Sequence, residues 1–146
     1  MIKLDVTNTN KVIDAIEKYG EDAVKEIKSV TKITAQEVED EAKSLAPIDK
    51  GTLRQSIRAE QQEAPLTYKV TAYMPYSAYH EFGTGGLVNI PKGWGEMASR
   101  FKGKGIKQVN IKARPFMYPA YLKGKMIFSK NIKDALKHLN KKFNNG

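Results

Sequence analysis

The sequence predicts an α+β fold: a long N-terminal helix and a C-terminal helix packed on a small antiparallel sheet, with a long glycine-rich basic loop. Three observations predict it. Apolar residues recur at helical spacing up to Leu45, and again from Tyr121 to Phe143. Between those stripes, two short segments alternate apolar and polar residues. The 146 residues suit a single domain, 1–146, from which a loop over 85–111 projects.

Ile2-Lys3-Leu4-Asp5-Val6 alternates as a short half-buried strand does. Thr7 to Asn10 is a run of small polar residues that offers helix caps. Ile13, Ile16, Val24, Ile27, Val30, Thr34, Val38, Ala42 and Leu45 then follow at intervals that place them on one stripe. Tyr19-Gly20-Glu21-Asp22 divides this stripe into a short helix and a longer one, whose first turn carries the acids that suit its positive end. Pro47 pushes Ala46 out of the helical region and stops the longer helix. Residues 57–61 and 68–72 alternate as strands joined by a turn at Ala64-Pro65, which makes an antiparallel hairpin. From Gly83, which closes the compact aromatic run Tyr76–Gly83, up to about Lys112 the chain holds seven of its eleven glycines, and regular structure is not expected there. Ala113–Pro119 reads as an extended strap with two prolines. Gly124 weakens the first turn of the C-terminal helix that follows. The expected core takes Val24, Ile27, Val30, Thr34, Val38 and Leu45 from the first helix and Phe128, Ile132, Leu136 and Leu139 from the last.

Composition removes whole classes of function. There is no cysteine, which excludes disulfides, thiol nucleophiles and cysteine-based metal sites. The two histidines, His80 and His138, stand far apart. The longest uncharged stretch, Val70–Tyr79, is far short of the roughly 20 residues that cross a bilayer. No basic leader with an apolar core opens the chain, so a cytosolic protein without membrane contact is expected. The net charge of +9 is unevenly spread: residues 1–73 sum to −2, and 74–146 to +11. A basic back half attracts acidic or polyanionic partners, although solvated lysines that keep the chain soluble explain it too.

Motifs for chemistry are missing or broken. No phosphate-cradling glycine loop with its lysine is present, and Gly93-Trp94-Gly95 lacks the third glycine of a dinucleotide site. His80-Glu81 opens like a zinc-protease motif, but Thr84 stands where the second histidine belongs. Glu37, Glu39, Asp40 and Glu41 read as a solvated helix face. No catalytic, metal or cofactor site is expected, and the chain is not read as an enzyme. The basic segment is the one chemical feature that remains. Lys92, Arg100, Lys102, Lys104, Lys107, Lys112 and Arg114 face the single acid Glu96, with Trp94 and Phe101 interleaved. Such a segment grips phosphates and stacks on bases, so a nucleic-acid-binding protein acting through 92–114 is the alternative function. No reader helix or RNA-binding signature accompanies it.

Three blocks stand in a specific order: Ala46-Pro47-Ile48-Asp49-Lys50-Gly51-Thr52-Leu53-Arg54-Gln55-Ser56-Ile57, then Tyr76-Ser77-Ala78-Tyr79-His80-Glu81-Phe82-Gly83-Thr84, then Ala113-Arg114-Pro115-Phe116-Met117-Tyr118-Pro119-Ala120. With a C-terminal helix after them, they resemble the tail-completion family of long-tailed bacteriophages and prophages, also called tail-to-head joining, neck or minor tail components. The resemblance runs over roughly residues 8–143. It implies a structural α+β subunit with no catalysis, whose copies form a ring, typically of six, at the head–tail junction of the virion. The partners implied are the head connector or stopper and the tail-tube or tail-terminator proteins, with DNA passing through the centre and assembly in the host bacterial cytoplasm. The family-motif positions are Pro47, Gly51, Leu53, Ser56, Tyr79, Glu81, Gly83, Thr84, Arg114, Pro115, Phe116 and Pro119. Two departures stand out: Lys50 occupies the place of the family's usual threonine, and the segment from Gly85 to Ile111 is long for the family.

Two contacts follow as expectations. Glu81 and Arg114 are expected to pair, a forked guanidinium on a carboxylate tying the strap to the Tyr79–Thr84 turn. Lys92, Trp94, Arg100, Phe101, Lys102, Lys104 and Lys107 are expected to face a partner or DNA.

Overall fold

In the computed structural model, residues 2–6, 20–48, 51–84, 92–96 and 111–144 are described. Three strands, β1 (Ile2–Val6), β2 (Ile57–Gln61) and β3 (Tyr68–Ala72), form one antiparallel sheet in the order β1-β3-β2. Val70 in the central strand stands opposite Leu4 on one side and Ala59 on the other. The four helices described are α1 (Glu21–Leu45), α2 (Thr52–Gln55), α3 (Ser77–Phe82) and α4 (Met117–Asn144). The α+β class, with long helices against a small antiparallel sheet, is as the sequence implies. The expected short helix before Gly20 and most of the glycine-rich loop lie outside the described residues.

The hairpin turns where expected, by an unexpected device. Gln62 N–H donates to Thr67 O (2.9 Å) and Thr67 N–H to Ala64 O (3.3 Å), while Leu66 holds a φ of 63°. A branched side chain is rarely found there. Leu66 is buried beside Ile27, Ile132 and Leu139, and that packing holds the strained turn residue in place.

The helix α1 lies along α4 in antiparallel sense: Lys123 meets Glu41 (2.7 Å) at one end and Lys142 meets Asp22 (3.4 Å) at the other. The close approach centres on Gly124. A Cβ at this buried position would overlap Val38 Cγ2. The glycine that reads as a flaw in helix propensity is thus the residue that lets the two helices meet.

The core stripe of α1 is broader than the apolar residues suggest. Ile27, Thr34 and Val38 are buried as expected, joined by Ala23, Thr31, Ala35 and Ala42, whereas Val24 and Val30 are half-buried. Thr31 and Thr34 enter the core because their hydroxyls donate to the carbonyls of Ile27 and Val30, both at 2.8 Å. Leu45 is corrected: in the last turn of α1 it is exposed, and Ala46 is buried instead. On α4, Ile132 and Leu139 are buried, while Phe128 and Leu136 pack at the margin.

Two corrections concern the segment before α4. The extended strap is shorter than Ala113–Pro119, because helix α4 begins at Met117. Pro119 is therefore not strap but first-turn helix, where proline is tolerated because a backbone N–H has no helical acceptor there.

Candidate functional site

The three sequence blocks fold into three corners that are stitched to one another. The first closes the end of α1. Gly51 takes a left-handed φ of 77° before α2, and Leu53 inserts into the core. The Arg54 guanidinium then reaches back, its Nε donating to Ala46 O and its Nη2 to Ser44 O, both at 3.3 Å. These are carbonyls at the end of α1, which lack helical partners and carry partial negative charge. Ser56 Oγ donates to Leu53 O (2.7 Å), and Ser56 O accepts from Tyr73 N–H (3.2 Å), so the corner is also tied to the strand end. Pro47 is half-buried beside the helix end it terminates.

The second and third corners meet at Glu81. This residue of α3 is fully buried and aims its carboxylate at the start of α4. Oε2 accepts from the N–H of Phe116 (2.8 Å) and of Met117 (2.9 Å), and Oε1 from that of Tyr118 (2.9 Å). The first four N–H groups of a helix have no partner within it. Here three of the four bond Glu81, and the fourth position is Pro119, which has no N–H to satisfy. One carboxylate and one proline therefore complete the entire helix terminus. Negative charge at that end is also favoured by the helix dipole. Burial pushes the Glu81 carboxyl above its ordinary value of 4.5, and the three amides pull it part of the way back.

The expected Glu81–Arg114 pair is corrected. Both oxygens of Glu81 are occupied by backbone amides, and the Arg114 side chain is exposed with no bond to Glu81. The strap is nonetheless tied to α3, by the backbone: Arg114 N–H donates to His80 O at 2.7 Å. Residue spacing brought the right segments together with the wrong donor. The signal that would have found the right one is Pro119, since a proline just inside an apolar helical stripe marks a helix start.

Gly83 ends α3 with φ 77° and ψ −174°, a conformation confined in practice to glycine, and its N–H donates to Tyr79 O (2.9 Å). Tyr79 and Pro115 are half-buried, and Phe116 is fully buried. Thr84 next forms a two-bond clamp with Ile111. Thr84 N–H donates to Ile111 O (2.9 Å), and Ile111 N–H to Thr84 Oγ1 (2.8 Å). The two ends of the basic segment are thus fastened together at its base.

Within that segment Lys92 is exposed, but Trp94 does not face outward as expected. It is half-buried on the chain's own aromatics, with ring centroids 5.1 Å from Tyr118, 6.0 Å from Phe82 and 6.3 Å from Tyr121. The indole covers the Glu81 corner from outside. Arg100, Phe101, Lys102, Lys104 and Lys107 lie outside the described residues.

The acidic run on α1 also differs from a uniformly solvated face. Glu39 pairs with Lys43 and accepts the Ala59 N–H at 2.6 Å, which ties α1 to strand β2. Glu41 bridges to Lys123, whereas Glu37 and Asp40 remain exposed. Among the described residues no group of three or more His, Asp or Glu side chains is placed to hold a metal ion, and no helix is long and apolar enough to cross a membrane.

The fold and its corners define a small braced α+β protein in which Glu81, the one fully buried carboxylate among the described residues, holds a helix end. Residues 10–83, just over half of the chain, match the model of a bacteriophage family, HK97-gp10-like, described as “Bacteriophage HK97-gp10, putative tail-component”. The chain belongs to that family of phage tail components. The match takes in the first corner and α3 with Glu81, and it stops at Gly83, where the basic segment begins. No curated protein and no solved structure matches the chain.

Proposed function

We infer that this tail component is a structural protein of the virion that assembles as a ring, of six copies, at the head–tail junction. In that position it completes the tail and joins it to the head connector, with the genome passing through the ring's centre. The observation that carries the reading is the match of residues 10–83 to a phage tail-component family, and the order of the three blocks supports it. The family-motif residues act as scaffold: Leu53, Ser56, Glu81, Gly83, Thr84, Phe116 and Pro119 set the angles between helices and sheet that a ring subunit must repeat faithfully. The segment 85–111, with its excess of positive charge, is the element that meets a neighbour, through Lys92, Arg100, Phe101, Lys102, Lys104 and Lys107 on acidic protein or on DNA phosphates. A partner that orders such a segment gains specificity at an entropic cost. The nucleic-acid-binding alternative rests on charge and on interleaved aromatics, of which Trp94 packs on the chain's own rings, and the family match favours the tail reading.

Deletion of the gene from the phage or prophage that encodes this chain tests the reading. Filled heads and finished tails should accumulate unjoined, and the wild-type protein supplied in trans should join them. Joined, infectious particles without the protein would refute it. A salt-dependent shift of duplex DNA by the isolated protein, with joining intact after deletion, would establish the alternative instead.

A further inference from the structure

Helix α4 carries a charge pattern that neither the core nor the corners use. It bears seven lysines and no arginine against the single acid Asp134. Lys123 and Lys142 are engaged by Glu41 and Asp22 of α1. Lys130, Lys133, Lys137 and Lys141 are exposed and bridge to nothing among the described residues. Their spacing of three, four and four sets them in one row along the helix. Ile132, Ala135 and Leu139, buried in the core, fall on the opposite side by the same spacing. The row runs over about 16 Å of helix, in the half of α4 away from the first turns where Trp94 packs on Tyr118 and Tyr121. Like charges three and four residues apart repel, so the row opposes the helix that carries it. Asp134, on its flank, is exposed and bridges to none of the four.

Three kinds of acidic surface would relieve that repulsion, and the surroundings of the row separate them. An anionic membrane takes a basic helix through an apolar face laid into the lipid. Here the apolar face is already buried in the chain's own core. A protein partner is bound around apolar or aromatic anchors, and lysine is depleted where such contacts are closest. Among the described residues no large apolar side chain is exposed from Ser129 to Lys142. A polyanion needs neither. Evenly spaced point charges suffice, because release of its counterions supplies the affinity.

We propose that the row Lys130, Lys133, Lys137 and Lys141 binds the phosphate backbone of duplex DNA without regard to sequence. Its length matches roughly five base pairs at their 3.4 Å rise. Phosphate contacts of this kind position a protein on the duplex and read no bases. That the DNA is the genome in the channel rests on the ring reading, in which this side of α4 faces the centre. The binding itself does not depend on the ring.

Fluorescence anisotropy of a labelled duplex, titrated with the full chain from about 50 to about 200 mM salt, tests it. Wild type should bind, with the logarithm of affinity falling linearly against that of salt. Changing all four lysines to glutamine should make the slope shallower by about 3–4 units, and changing them to arginine should preserve it. Lys133→Gln with Lys137→Gln alone should remove about 2 units, which covers the case of a fourfold variant that does not fold. Circular dichroism with thermal melting verifies folding of each. The same loss is expected where Arg100, Lys102, Lys104 and Lys107 are already glutamine, which separates the row from the basic segment. Duplexes of unrelated sequence should bind alike. A wild type that does not bind at the lowest salt, a slope unchanged by loss of the row, or a strong preference among sequences would each overturn the proposal. Joining of heads to tails in the deletion experiment reports on the ring independently: DNA binding through the row, with joining intact after deletion, would keep this inference and refute the ring.

Discussion

Replacement of Glu81 by alanine removes the acceptor for three amides at once. Two of them, at Phe116 and Met117, belong to fully buried residues where water cannot replace the carboxylate, and the third, at Tyr118, is half-buried. A buried donor left without a partner costs about 1–3 kcal/mol, and a lost helix cap alone costs about 0.5–2 kcal/mol. Against this stands the relief of no longer burying a carboxyl group, which offsets part of the loss. The net expected destabilisation is about 2–4 kcal/mol, a large share of the roughly 5–15 kcal/mol that holds a domain folded. Glu81→Gln keeps one oxygen and nearly the same volume, but turns an NH₂ toward amides that also donate. It should cost less, about 1–2 kcal/mol. Urea unfolding followed by circular dichroism measures both values. Trp94 fluorescence supplies a local probe, since its ring stands 5.1 Å from Tyr118 at the same helix end. Coincident transitions by the two probes license the two-state analysis. Glu81→Ala within about 0.5 kcal/mol of wild type would refute the terminus accounting.

Three further outcomes are expected. Because burial raises the Glu81 carboxyl above its ordinary 4.5, its contribution is fully present below that unfolded value and is lost as pH rises through the folded one. The stability margin of wild type over Glu81→Gln should therefore be largest in acid and shrink toward neutral pH; a margin that widens as pH rises contradicts this. Gly124→Ala places a Cβ on Val38 and should destabilise by about 1–3 kcal/mol, and Val38→Ala in the same chain should return part of that loss, as a double-mutant cycle would read. Leu139→Ala, at a buried site, should lower stability by about 2–5 kcal/mol, and Leu136→Ala, at the margin, by clearly less; equal melting temperatures for the two would place the core elsewhere.

Much of the architecture was legible in the order of residues because it depends on periodicity, which is local. Apolar residues three and four apart define α1 and α4, alternation defines β2 and β3, and Pro47 ends α1 where its ring forbids helix in the preceding residue. The family was legible too, since the first block and the second as far as Gly83 lie within the stretch that matches it, and their order and chemistry are properties of the chain alone. Roles that depend on partners distant in sequence were not legible. Glu81 reads equally well as half of an ion pair, and only its position opposite three amides some 35 to 37 residues away makes it a helix cap. Glu39 reads as solvated until β2 brings the Ala59 amide to it. Trp94 reads as an outward aromatic until Phe82, Tyr118 and Tyr121 bring their rings into contact with it.

Gly124 states the division most plainly. By itself the sequence determined that a glycine interrupts an otherwise good helix, a local cost with no visible return. Only the tertiary structure decided that Val38 of another helix would arrive at that spot, where any Cβ would collide with it. Local propensity is set by a residue and its few neighbours along the chain. Contact is set by which distant surfaces hydrophobic burial brings together, and that is decided only once the whole chain has packed.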